Sequence, residues 1–260
     1  MQGVSIPVET IERATLAAVP SRELVEVPGW LLPLDTSTVS RTKSAVPLSH
    51  HAPDPAVLPL IEEVYRGHGL RPVLRLPRDV PAFAALYADL RRRGYSPRGL
   101  VLVMTGASHG LRAAGDPGVS RLAAGPDDAW SAVFLGPGFD PVDGAARVAV
   151  LRRGRDTSYA SVAAVTCPEP APESGSVVAV GCGSFAGGLV GVHGMRTAAA
   201  HRRHGHARAV LASIGAEAVR RGVETAYLQV EEQNAPAVTL YTSLGFTPAW
   251  AYEYWTTPTH

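Results

Sequence analysis

Apolar residues recur three and four positions apart in some stretches of this chain and in short unbroken runs in others, which predicts alternating helices and strands. Residues 8–18 form one amphipathic segment. Residues 30–34 and 39–48 have strand character around a Thr/Ser turn. Pro53, Asp54 and Pro55 then set up a helix with Val57, Leu60, Ile61 and Val64 on one face, closed by Gly67 and Gly69. Strands are predicted over 73–76 and 100–104, separated by a helix over 81–93 that Gly94 ends. Residues 110–144, rich in Gly, Pro and Asp, read as a connection.

The later part repeats the alternation more sharply. Strands are predicted over 159–167, 176–185 and 189–197, a helix over 205–221, a strand over 225–231, a helix over 235–243 and a final strand over 246–255. The stretch 167–175 reads as an exposed turn. This order implies an α+β fold with a mixed, mostly antiparallel sheet. A faint repeat links the two halves. Gly94-Tyr95-Ser96-Pro97 mirrors Gly245-Phe246-Thr247-Pro248, and Gly69 and Gly222 each end a helix before a strand. The expectation is a duplicated fold: residues 1–110 as a degenerate copy, 111–150 as a connecting region and 151–260 as the complete copy.

Composition narrows the function classes. No run approaches the roughly 20 apolar residues of a membrane helix, and nothing at the start has the layout of a signal peptide, so a soluble cytoplasmic protein is expected. A net charge of +1 and a pI near 7.9 give no overall basic field for nucleic acid. Lys43 is the single lysine, so cationic work falls to arginine, whose fork fits carboxylate and phosphate. The two cysteines, Cys167 and Cys182, read as small core residues.

The run from Met195 to Leu211 carries the chemistry: Met195, Arg196 and Thr197 end a strand, Arg202, Arg203 and His204 make a basic loop, and Gly205, His206 and Ala207 start a helix. Several backbone N–H groups can then converge on one anion, with the positive end of the helix dipole behind them, as a diphosphate cradle. Arg202, Gly205 and Ala207 match the R/Q-x-x-G-x-G/A motif of the GCN5-related N-acetyltransferase (GNAT) superfamily. Downstream, Asn234, Ala237, Leu240, Tyr241, Leu244, Gly245 and Phe246 form an N-x-x-A-x-x-L-Y-x-x-L-G-F run that resembles the superfamily's second cofactor motif. The first half resembles a degenerate partner domain of tandem members.

The resemblance implies a GNAT fold over the catalytic part and acetyl-CoA, or another acyl-CoA, as donor. By the same resemblance, Met195 and Thr197 would bond the pantetheine arm through their backbone, and the amides from Arg203 to Ala207 would hold the diphosphate. Asn234 and Ala237 would lie along the cofactor, and Tyr241 beside its sulfur as the proton donor. A primary amine of pKa about 10 must lose a proton before it attacks a thioester. Glu231 and His193 are the two candidate bases, Glu231 the favoured one. Side-chain alternation places Glu231 with Gln229 and Tyr227, and His193 with Met195.

The partner expected is a small-molecule or peptide amine, without nucleic acid, membrane or bound metal, and a homodimer is compatible with it. Arg41, Trp30 and Tyr159 are candidate walls of the acceptor groove. His201, His204 and His206 invite a zinc reading, but their offsets do not put three ligands on one helical face. Gly181-Cys182-Gly183-Ser184-Phe185-Ala186 satisfies a dinucleotide pattern, yet Gly187 and Gly188 follow where a helix should begin, so it reads as a turn region between strands. The alternative function is a non-catalytic acyl-CoA-binding or partner-binding module.

Overall fold

The computed structural model describes residues 6–51, 53–164 and 176–258. Helix α1 (Val8–Ala18) leads into a small antiparallel sheet of β1 (Glu23–Val27), β2 (Trp30–Leu34) and β3 (Val46–Pro47). Next come α2 (Leu58–Gly67), β4 (Val73–Pro77), α3 (Ala84–Arg92), β5 (Ser96–Ala107) and α4 (Ser108–Arg112). Then follow β6 (Ser120–Ala123), α5 (Asp128–Leu135), α6 (Pro141–Arg153), β7 (Thr157–Ala163), β8 (Val177–Ala186) and β9 (Leu189–Thr197). After these lie α7 (His206–Arg220), β10 (Thr225–Glu231), α8 (Ala235–Ser243) and β11 (Thr247–Thr256).

Two expectations differ from this architecture for identifiable reasons. In 39–48 only Val46–Pro47 is strand, and Ser40–Lys43 is a 3-10 turn. There the Thr42 hydroxyl donates to the Val39 carbonyl at 2.9 Å and pairs with the Ser37 hydroxyl at 2.7 Å, local bonds that compete with a ladder. The stretch read as a connection holds β6 and two helices instead. Two of its aspartates cap these helices: Asp127 accepts from the Trp130 amide and starts α5, and Asp140 accepts from the Asp143 amide and starts α6. Trp130 anchors this layer, buried with its indole N–H on the Ala160 carbonyl at 3.1 Å. Cys182 is buried, whereas Cys167 and the turn expected over 167–175 lie outside the described residues.

The large sheet has the order β4-β11-β5-β10-β9-β8-β7-β6. Only β9 and β10 run parallel, and every other neighbouring pair is antiparallel. Strands from the two halves interleave at its centre: β5 lies between β10 and β11, and β11 lies between β4 and β5. The repeated glycine motifs mark equivalent helix ends. Tyr95 N–H donates to the Leu90 carbonyl at 2.9 Å and Phe246 N–H to the Tyr241 carbonyl at 3.1 Å, each across a left-handed glycine, Gly94 (φ 83°) and Gly245 (φ 85°). Gly69 and Gly222 close α2 and α7 in the same way, through Leu70 N–H to the Tyr65 carbonyl and Val223 N–H to the Ala218 carbonyl, both at 2.9 Å.

Helix α7 covers one face of β8 and β9 in the main apolar core, where Val210, Leu211 and Ile214 meet Val190, Val192 and Leu228. Its closeness explains the dinucleotide-like glycines. They lie within β8 rather than in a turn, and a Cβ on Gly181 or Gly183 would come within 2.8 Å of Val210 or 2.6 Å of Ile214. The turn is Gly187-Gly188, between β8 and β9. The opposite face carries α1, with Ile11 and Ala14 packed on Val103, Leu189, Tyr227 and Tyr252.

Candidate active site

Strands β9 and β10 pair only from Leu189 opposite Thr225 to Val192 opposite Leu228. From His193 to Thr197, therefore, one edge of β9 has no partner strand and its backbone groups are open to a ligand. On the other edge, Gly194 and Met195 bulge between the pairs Cys182–His193 and Val180–Arg196. Gly194 takes φ 62° there. The bulge overturns the alternation expected from sequence. His193 turns to the α1 face against Tyr227, ring centroids 5.8 Å apart, whereas Met195 turns to the α7 face, where it joins the core beside Val210.

The loop after β9 ends at Gly205, which is left-handed (φ 81°) at the head of α7, and Arg203 is left-handed as well (φ 66°). The first capping bonds are Arg208 N–H and Ala209 N–H to the Gly205 carbonyl, at 2.9 and 3.1 Å. Among the described residues, the amides of Arg203, His204, Gly205, His206 and Ala207 have no backbone acceptor. A Cβ added to Gly205 would meet nothing within 4 Å, so the space beside this residue is open. Free donors, a helix N-terminus and exposed Arg202, Arg203 and His204 make a cradle that fits a diphosphate.

A family model described as "Probable histone acetyltransferase Rv0428c C-terminal" matches residues 7–255. The chain belongs to this family of the GNAT superfamily. No curated protein sequence matches it. Among solved structures it is similar to a GCN5-related N-acetyltransferase from Kribbella flavida, with TM-score 0.68 and 17% identity over 100% of this chain and 98% of that one. A putative GNAT-family acetyltransferase from Novosphingobium aromaticivorans DSM 12444 gives TM-score 0.58 and 20% identity over 98% of each chain. A tandem GNAT protein from the clavulanic acid biosynthesis pathway gives TM-score 0.60 and 14% identity over 97% of this chain and 96% of that one. At these identities the likeness is one of fold, and the sheet and helix order described above are those of the GNAT fold.

In this GNAT protein the residues singled out from sequence separate into distinct surroundings. Asn234 caps α8, accepting from the Ala237 amide at 3.4 Å. Tyr241 is buried against Phe246, and burial pushes its hydroxyl up to about 12. That hydroxyl is not sealed from solvent in the way the Tyr227 hydroxyl is. Arg202 is drawn back toward the Thr197 carbonyl at 3.5 Å, and Arg196 turns away from the cradle to donate to the Phe134 carbonyl at 3.1 Å. The imidazoles crowd the cradle, with His206 6.3 Å from His201 and 6.0 Å from His204 between centroids. Partial burial and then the two neighbouring imidazoles hold the His206 pKa below its ordinary value. Glu231 is exposed at the end of β10, accepting from Gln233 Nε2 at 3.1 Å.

His193 is sealed, with neither ring nitrogen hydrogen-bonded, and burial, reinforced by the Arg41 charge, pushes its pKa down to about 3. Around it lies a polar cluster that sequence reading largely missed. Gln229 is its hub: Nε2 donates to Thr15 Oγ1 at 3.1 Å, and Oε1 accepts from the Tyr252 hydroxyl at 3.0 Å and from Arg41 Nη1 at 3.3 Å. Beside it Glu12 and Arg75 form an ion pair at 2.6 Å, both side chains almost wholly buried. Burial raises the Glu12 pKa against the pull of Arg75. Of the three wall candidates, only Arg41 reaches this cluster. Trp30 packs in the core under α2 and α3, and Tyr159 packs against Trp130.

Proposed function

We propose that this GNAT protein is an N-acetyltransferase that passes an acetyl group from acetyl-CoA to a primary amine of a small molecule or peptide by direct attack. The observation that carries the reading is the set of free amides at the head of α7, beside a stretch of β9 whose outer edge has no partner strand. In this reading residues 1–110 are a degenerate GNAT-like partner, 111–150 connect, 151–260 carry catalysis, and the enzyme works in the cytoplasm. Among the described residues no helix is long and apolar enough to cross a membrane.

Acetyl-CoA, when bound, supplies an activated acyl group as a thioester. The amides of Arg203 to Ala207 hold its diphosphate, with Arg202, Arg203 and His204 adding positive charge when charged. The backbone of Met195 and Thr197 aligns the pantetheine arm along the open edge, with the Met195 amide as the donor for the thioester carbonyl. Asn234 and Ala237 border the arm at the start of α8. Tyr241 delivers a proton to the sulfur. Glu231, exposed at the end of β10, takes the proton from the amine, whereas an imidazole as depressed as that of His193 accepts protons poorly. His193 then serves as a neutral polar group in the floor of the acceptor side.

The test is a thiol-release screen with acetyl-CoA and a panel of amines. Release coupled to N-acetylated product supports the reading, and coenzyme binding without release under any acceptor would make the protein a binding module. The cradle has its own test. A Val at position 205 disfavours the left-handed backbone by about 1–2 kcal/mol, so the free loop relaxes out of the cradle geometry and coenzyme must restore it; Gly205→Val is then expected to weaken coenzyme A binding roughly 5–30-fold by calorimetric titration. Unchanged affinity would mean that the diphosphate lies elsewhere.

A further inference from the structure

The polar cluster under α1 holds more positive than negative charge. Its cations are Arg41 and Arg75, and its one carboxylate, Glu12, is committed to Arg75. Arg41 has no ion-pair partner among the described residues and touches only the neutral Gln229 oxygen, at 3.3 Å. Its charge nevertheless acts on His193, Tyr227, Tyr252 and Cys182, each held in its neutral form by burial. Arg41 is partly buried and its charge also reaches Glu12, but that carboxylate already pairs with Arg75, so an anion arriving in this space would give the Arg41 guanidinium a direct partner.

Two further features lie beside it. Both His193 ring nitrogens and the Tyr227 hydroxyl are sealed without an aligned hydrogen bond, although Tyr227 lies near Thr15. Both side chains crowd over Gly191: a Cβ on that glycine would lie 2.5 Å from His193 Nε2 and 2.7 Å from the Tyr227 hydroxyl. The α7 cradle has its own arginines for the phosphates of the coenzyme, and His193 and Gln229 face the sheet side opposite the α7 core that Met195 joins. An anion received beside Arg41 would therefore come from the acceptor and not from the coenzyme.

We propose that Arg41 receives a carboxylate of the acceptor, so that the amine acetylated by this protein belongs to an amino-acid-like molecule. This rests on the N-acetyltransferase reading and adds the substrate class to it. Gln229 holds the guanidinium in place, and the polar floor of His193 and Tyr227 lies beside the substrate.

The experiment compares matched acceptors that differ only at the carboxylate: free amino acids, their carboxamides and their decarboxylated amines, with the intact protein and with Arg41→Gln and Arg41→Lys. For the unaltered protein, kcat/KM is expected to favour the carboxylates about 10–100-fold, the value of a charge-assisted pair. Arg41→Gln should collapse the ratio toward unity, and Arg41→Lys should keep part of it. No preference in the unaltered protein, or a preference that survives Arg41→Gln, overturns the proposal; the first measurement stands even if a variant fails to fold. If no amine is acetylated, calorimetry of the same amino acids with coenzyme-saturated protein decides. Binding that Arg41→Gln abolishes keeps the carboxylate site while the transfer reading fails, and absence of binding sinks the site as well.

Discussion

Replacing Tyr241 by Phe is expected to lower kcat about a hundredfold or more while coenzyme A affinity stays within about twofold. The argument starts from what the substitution leaves alone. The ring packs against Phe246 in the core under α8, with centroids 6.1 Å apart, and Phe preserves that packing. Only the hydroxyl goes. Because burial pushes this phenol up to about 12, it stays protonated across neutral and mildly alkaline pH, as the proton donor proposed for the departing sulfur must. In the unaltered enzyme kcat should accordingly show no loss between about pH 7 and 10 from this group. Steady-state rates and a coenzyme titration on the same preparation check both halves. A variant with full kcat, or one whose coenzyme affinity falls as much as its rate, would leave Tyr241 a packing residue.

Arg75→Met is expected to cost about 3–5 kcal/mol of folding stability, because it strands the Glu12 carboxylate in an apolar interior. The pair joins α1 to β4, both side chains are at most 2% exposed, and the guanidinium also lies 5.1 Å from the centre of the Tyr252 ring. Removing both charges together, in Glu12→Leu/Arg75→Met, should recover most of the loss, since a buried pair barely offsets its own desolvation. The pH dependence has a definite sign. In the single variant the folded-state pKa of Glu12 is raised further above the 4.5 of an ordinary glutamate. The unaltered protein already carries a raised Glu12 pKa, so the relative penalty is small at acid pH and grows as pH rises from the parent's raised value through the variant's still higher one. Denaturant unfolding of the single and double variants at pH 5 and pH 8 reads all of this. A single-variant loss below about 1 kcal/mol would show that water reaches Glu12.

The cradle, its flanking strands and the α8 block were legible in the sequence because each is local: β9, β10 and α8 begin and end where their own residues predict. What escaped depends on partners distant in the chain. Nothing in residues 96–107 says that they will lie between β10 and β11, since register is set by whichever edges meet. The Gly194–Met195 bulge defeated the rule of alternation at the one place where it decided which side chains share a face. The Asp-rich stretch that holds Asp127 and Asp140 reads as a connection from sequence because a cap and a turn use the same amino acids. Gln229 is an unremarkable glutamine until α1, β11 and Arg41 converge on it.

The interleaving of β5 and β11 imposes an order on synthesis. Strand β5 leaves the ribosome well before β10 and β11, the two strands that flank it in the finished sheet. Until they arrive, the apolar run of β5 has both edges free to seek substitutes. Neither half can complete the centre of the large sheet alone.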